Sequence, residues 1–165
     1  MRLFKRQSTL EALRMAGFAQ SEANQVARYA KLSTLESGRE LTSLGGYSSD
    51  VYLLVSGTVL VAKASSDAFE LEASFDKPVV IGEISALRDR LFSVASVTTV
   101  SSVTAIVFSA SKLAELVEAS PRLSGVVLSQ RSARLNDMTE ALKEHRIGQW
   151  AAYESYLEAV SRNAG

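Results

Sequence analysis

The sequence predicts an α+β fold that is mainly β: short helices, then a β-barrel or jelly roll, then long helices. Three observations predict it. Helix-capping patterns occupy the first thirty residues, the stretch from Leu35 to Phe108 is rich in Val, Leu, Ile, Ser and Thr and cut by Gly38, Gly45, Gly46, Gly57 and Gly82, and helical spacing returns after Phe108. At 165 residues and 47% hydrophobic content, the chain has the size of one domain and enough apolar surface for a core.

The elements follow in order. Ser8-Thr9-Leu10-Glu11 matches a capping box, Leu10 and Leu13 share a helical face, and Gly17 stands where a helix end favours positive φ, so a helix is expected over 8–16. Ser21 is placed to cap a second helix, with Val26, Ala27 and Ala30 on one side, ending before Leu32. In the β region, Val51 to Val55, then Ser56-Gly57, then Thr58 to Ala62 reads as two strands around a tight turn. Thr98 to Phe108 supplies further strand, its Ser/Thr alternation marking a wet face. Ser109 is placed to cap a helix through Val117, and Ser120-Pro121 puts a cap and a first-turn proline at the start of a much longer one. Along that helix Leu128, Leu135 and Leu142 recur every seven residues with Met138 between them, an apolar stripe suited to a partner helix. Gly148 interrupts it, and Trp150, Tyr153, Leu157 and Val160 lie on one face of a final amphipathic helix. No repeat or linker divides the chain, so residues 1–145 read as the domain with its long helix and 146–165 as an added helix.

Composition removes several function classes. Eighteen Lys+Arg balance eighteen Asp+Glu, leaving no excess field to hold a nucleic-acid backbone or an anionic membrane. With no cysteine there is no disulfide, thiolate nucleophile or Cys-ligated zinc, and the single histidine, His145, allows neither a multi-His metal site nor a defensible Ser/His/Asp set. No catalytic residue, metal or cofactor is expected, and the protein is not expected to be an enzyme. Met1 to Gln7 lacks a secretory apolar stretch, and the greasiest run, Val51 to Ala62, is broken by Ser56, Gly57 and Thr58; the expected location is the cytoplasm.

Detailed motifs sharpen the fold. Gly38 and Gly45 stand seven apart, Tyr52 follows seven later and leads into Tyr52-Leu-Leu-Val-Ser-Gly57, and Val80-Ile-Gly-Glu-Ile-Ser-Ala-Leu87 joins a strand to a Gly-Glu pair. In this register and order, over about residues 8 to 145, the chain resembles the cyclic-nucleotide-binding domains of the catabolite-activator and FNR regulators. The resemblance implies an eight-stranded jelly roll, or double-stranded β-helix, flanked by N-terminal helices and long C-terminal helices. It makes Val80 to Leu87 the start of a phosphate-binding cassette. In that family, backbone N–H groups of a short helix face the cyclic phosphate, the Glu accepts from the ribose 2′-hydroxyl and an Arg pairs with the phosphate.

Carried over residue by residue, Gly82, Glu83 and Ile84 open the cassette, with Glu83 as the ribose carboxylate. The arginine position holds Ser93, and a neighbouring polar contact becomes Val94. Counting from Pro121, Arg134 and Thr139 fall where the family faces the nucleotide across a dimer, and Met138 where a small hydroxyl commonly meets the base. The candidate ligand set is thus Gly82, Glu83, Ile84, Ser93, Val94, Arg134, Met138 and Thr139; the candidate dimer interface is Leu128, Leu135, Met138 and Leu142. A buried anion left without its cation costs ~3–5 kcal/mol, about two to four decades of affinity. The implied function is a stand-alone regulatory sensor domain that binds cyclic AMP and cyclic GMP weakly or not at all. Two alternatives stay open: a ligand-independent dimerisation or protein-interaction module, and a true cyclic-nucleotide binder that uses Arg88 or Arg90 for the missing arginine. The expected partners are a small molecule other than a cyclic nucleotide, a second copy of the chain and a protein partner. Residues 146–165 are too few for the family's helix-turn-helix, so no DNA-binding domain is expected.

Overall fold

The computed structural model describes residues 2–46, 48–63, 68–83, 93 and 95–130. Two helices, α1 (Arg2–Met15) and α2 (Gln20–Val26), precede the strands β1 (Ala30–Leu35), β2 (Glu40–Thr42), β3 (Asp50–Lys63), β4 (Ala68–Ala73), β5 (Val79–Ile81), β6 (Ala95–Thr99) and β7 (Val103–Ser109). A 3₁₀ turn (Ala110–Lys112) leads into α3 (Leu113–Ala119), and a C-terminal helix covers 121–130. The chain is therefore a helix-flanked, curled antiparallel β-sheet, with seven strands among the described residues.

β3 organises the roll. Its first half pairs with β7 and β5, its second half with β6 and β4, and β1 and β2 extend the sheet from β7 and β6. The expected turn at Ser56-Gly57 is absent: one fourteen-residue strand runs through it. Gly57 takes φ +101° beside a register shift between Leu54 and Ser56, so the residue that resembled a hairpin turn is a bulge that carries one strand from one half of the sheet to the other. A Cβ there would stand 2.6 Å from the Ser102 carbonyl oxygen.

Period-two alternation along β3 sorts side chains into two cores. Val51, Leu53 and Val55 face a layer built from Leu13, Phe18, Val26, Phe108, Leu113, Leu116 and Leu123. Tyr52 and Leu54 point the other way, into the roll, among Leu35, Leu41, Val59, Val61, Ile81, Val97, Val103, Ala105 and Val107. Burial on both faces explains why Val51 to Val55 is uniformly apolar rather than alternating with polar residues.

The helices differ from expectation mainly at their starts. α1 begins at Arg2 instead of residue 8, and Thr9, read as part of a capping box, is interior to the helix: its hydroxyl donates to the Lys5 carbonyl at 2.9 Å and accepts from the Leu32 N–H at 3.0 Å, stitching α1 to β1. α2 is capped from Ala19 rather than Ser21 and ends at Val26; Glu22 Oε2 accepts from the Ala19 N–H at 2.8 Å. Ser109 makes no cap hydrogen bond, its hydroxyl lying instead 3.0 Å from that of Ser111. Ser120 does cap the C-terminal helix, accepting from the Leu123 N–H at 3.1 Å. Among the described residues, no helix is long and apolar enough to cross a membrane.

Candidate functional site

β5 delivers the chain to the candidate site. Ile81, Val80 and Val79 pair with Tyr52, Leu53 and Leu54 of β3. Gly82 then takes φ +92° so close to the start of β3 that a Cβ would lie 2.7 Å from the Asp50 carbonyl oxygen and 3.2 Å from Ser48 Oγ. Only glycine meets both demands, the left-handed backbone and the close approach. The turn drives Glu83 inward, where it is 1% exposed and engaged by other groups of the chain.

Ser93, the other described member of the set, is 5% exposed and fixed through its backbone: its N–H donates to the Gly46 carbonyl and its carbonyl accepts from the Gly45 N–H, both at 2.8 Å. Its hydroxyl makes no hydrogen bond among the described residues. Thr42 Oγ1 donates to the Ala95 carbonyl at 3.1 Å and Ser96 Oγ accepts from the Leu44 N–H at 2.9 Å, so the segment that enters β6 is sewn to β2 and the turn after it. Gly82 and Ser93 thus lean on the loop between β2 and β3 and the first residue of β3, Gly82 at Ser48 and Asp50, Ser93 at Gly45 and Gly46. The structure brings these two ends of the predicted cassette to a common support.

Tyr52 lies on β3 opposite Ile81 and faces the interior of the roll. Burial, and then Asp50, push its phenol up, opposed by the Arg39 guanidinium. Leu128 lies on the C-terminal helix and is 58% exposed. Ile84, Arg88, Arg90, Val94, Arg134, Leu135, Met138, Thr139 and Leu142 lie outside the described residues. Two residues that the motifs did not single out bind the C-terminal helix to the rest. Gln130 hydrogen-bonds the backbone of Val80, and Glu22 Oε1 accepts from Ser120 Oγ and the Arg122 N–H, both at 2.9 Å. These contacts have no sequence signature, since the partners of Gln130 and of Glu22 Oε1 are fifty or more residues away.

No family model matches the sequence, and no curated protein matches it. Solved structures do. The sensor domain of the transcriptional regulator DNR from Pseudomonas aeruginosa is 19% identical, with a TM-score of 0.53 over 71% of this chain and 83% of that one. Thermus thermophilus catabolite activator protein is 19% identical, with a TM-score of 0.60 over 77% of this chain and 60% of that one. The regulatory subunit of a cAMP-independent protein kinase A from Trypanosoma brucei is 14% identical, with a TM-score of 0.65 over 87% of this chain and 51% of that one. The fold is that of the cyclic-nucleotide-binding domains. Within this cyclic-nucleotide-binding fold the chain spans about half the length of the kinase regulatory subunit, and most of the isolated sensor domain.

Proposed function

We propose that the chain is a regulatory sensor domain of the cyclic-nucleotide-binding fold that binds cyclic AMP and cyclic GMP weakly or not at all and takes a ligand without a phosphate. The observation that carries this reading is Ser93. The residue read as replacing the phosphate-pairing arginine is a neutral serine, buried and held by its backbone between Gly45 and Gly46. A cyclic phosphate set against it would be a buried negative charge without the cation that the family supplies.

Neighbouring structures support the same chemistry. The Trypanosoma brucei regulatory subunit is described as cAMP-independent, its Trypanosoma cruzi counterpart is bound to guanosine, and a T. brucei variant combining a Glu→Ala change with Thr→Arg and, at the next position, Val→Ala is bound to cAMP. Ser93-Val94 has the hydroxyl-then-valine order that this variant replaced.

Titration calorimetry with cyclic AMP, cyclic GMP and guanosine tests the proposal. The wild type is expected to show no cyclic-nucleotide binding in the micromolar range, and Ser93→Arg combined with Val94→Ala to gain about two or more decades for cyclic AMP. Micromolar cyclic-AMP binding by the wild type overturns it and favours the reading that uses Arg88 or Arg90. If neither protein binds any of the three, a ligand-independent interaction module is the better reading. The exposed Leu128 supports the companion proposal of a homodimer along the Leu128, Leu135, Met138 and Leu142 stripe. Sedimentation equilibrium is expected to give a dimer that Leu135→Asp with Leu142→Asp converts to a folded monomer; a monomeric wild type at tens of micromolar refutes it.

A further inference from the structure

The side-chain amide of Gln130, on the C-terminal helix, lies against the outer edge of β5. Its Oε1 accepts from the Val80 N–H and its Nε2 donates to the Val80 carbonyl at 3.1 Å. Two bonds between one side-chain amide and the N–H and C=O of one residue reproduce what a neighbouring strand would provide. Val80 needs them: it is 0% exposed, and among the described strands β5 pairs with β3 alone, so without Gln130 a buried N–H and C=O would lose their partners. Leu123, Val126 and Val127 of the same helix share a core cluster with Val80, so the polar clasp sits at the end of a packed apolar seam.

The clasp lies close to the candidate site along the chain. Gly82 follows Val80 by two residues and is wedged against the Asp50 carbonyl; Glu83 is the next residue and is buried. With β5 only three residues long, a shift of Gly82 and Glu83 has little chain over which to dissipate before it reaches Val80. We infer that Gln130 is a positioning residue that fixes Val80 to Glu83 against the C-terminal helix, so that a change at the cassette entry reaches this helix through the Gln130 amide. The assignment of that entry as a ligand site rests on the function proposed above; the mechanical role of Gln130 does not.

Hydrogen–deuterium exchange on the full chain tests it. Gln130→Met keeps the length and apolar contact of the side chain and removes both hydrogen bonds; Gln130→Glu keeps the acceptor but sets a carboxylate against the Val80 carbonyl. Both are expected to speed exchange of amides 79–83 and 122–130 about tenfold, equivalent to ~1.4 kcal/mol, while amides 58–72 stay as in the wild type. Wild-type exchange in Gln130→Met would mean that packing alone matters and would overturn the inference.

Coupling is read by adding Gly82→Ala, whose methyl presses on Asp50. It is expected to speed exchange in 121–130 when Gln130 is present and to leave that segment unchanged in the Gln130→Met background; equal responses in both overturn the inference. If Gly82→Ala does not fold, Glu83→Gln serves in the same two backgrounds. Cyclic AMP added to the Ser93→Arg, Val94→Ala protein supplies a ligand arm: its effect on 121–130 is expected to vanish with Gln130→Met, and an undiminished effect overturns the inference. Failure of cyclic AMP to bind there counts against the ligand reading alone, while the ligand-free comparisons still decide the role of Gln130.

Discussion

Replacing Glu22 should loosen two helix starts at once. Its Oε2 accepts from the Ala19 N–H at the head of α2 at 2.8 Å, and its Oε1 accepts from Ser120 Oγ and the Arg122 N–H at the head of the C-terminal helix, both at 2.9 Å. Loss of an N-terminal cap costs ~1 kcal/mol per helix, and the charge-assisted bonds add to that, discounted because Glu22 is partly exposed. Glu22→Ala should therefore cost about 2–3 kcal/mol, a fall in Tm of roughly 4–12 °C for a chain of this size. Glu22→Gln, which keeps one acceptor oxygen, should cost about half as much.

The effect carries a pH signature. Burial raises the Glu22 carboxyl, but hydrogen bonds from Arg122, Ala19 and Ser120 and the Arg122 charge outweigh it, so the folded value lies below the reference of 4.5. A group lowered on folding stabilises fully above its unfolded value and loses that stabilisation as pH falls through the folded one. The gap between wild type and Glu22→Gln in equilibrium urea unfolding should thus be constant near neutrality and narrow below about pH 4.5. A Glu22→Ala protein within about 0.5 kcal/mol of wild type at pH 7, or a gap that widens in acid, refutes the reasoning.

Gly57→Ala and Gly38→Ala form a matched pair, since both glycines have positive φ but only at Gly57 would the new Cβ collide, 2.6 Å from the Ser102 carbonyl oxygen. Urea unfolding should show Gly57→Ala worse than Gly38→Ala by about 1–3 kcal/mol, and equal losses would remove the bulge contact as the cause. Thr99, 1% exposed, donates to the Glu36 carbonyl at 2.6 Å and accepts from the Arg39 N–H at 2.8 Å. Thr99→Val, similar in shape, should cost about 1–3 kcal/mol through those stranded groups, and a change within about 0.5 kcal/mol would show that water replaces the hydroxyl.

What the sequence revealed depended on whether the cause was local. Ser120-Pro121 is readable because a cap and a first-turn proline act within one turn, whereas the Gly-Glu pair at Gly82-Glu83 stands out only through the family resemblance, and its left-handed backbone is seen in the structure. Gly57 was found but misread: positive φ serves a hairpin and a bulge alike, and the partners that distinguish them, β6 and β4 on one side and β7 on the other, come from distant residues. The capping box at Ser8 failed for a similar reason. Thr9 has the right chemistry, but its hydroxyl is taken up inside a longer helix by Lys5 and Leu32. Gln130, and Glu22 in its bonds to Ser120 and Arg122, give no signal, because a polar residue on a helix carries no mark of the distant groups it will meet.

The two described ends of the candidate site are held independently of the side chain at position 93. Both are shaped by backbone geometry, Gly82 by φ and its approach to the Asp50 carbonyl, Ser93 by two hydrogen bonds to Gly45 and Gly46. Neither depends on the side chain at position 93, so an arginine can be exchanged for a serine without removing the supports of the cassette. On the proposed function, what distinguishes the site is charge: a neutral hydroxyl at position 93 supplies no cation for an anionic ligand, while the frame does not depend on it. If the proposed function holds, the affinity that a serine withholds should be supplied by an arginine at the same position, which is why introducing arginine at position 93 is the decisive substitution and remodelling the roll is not.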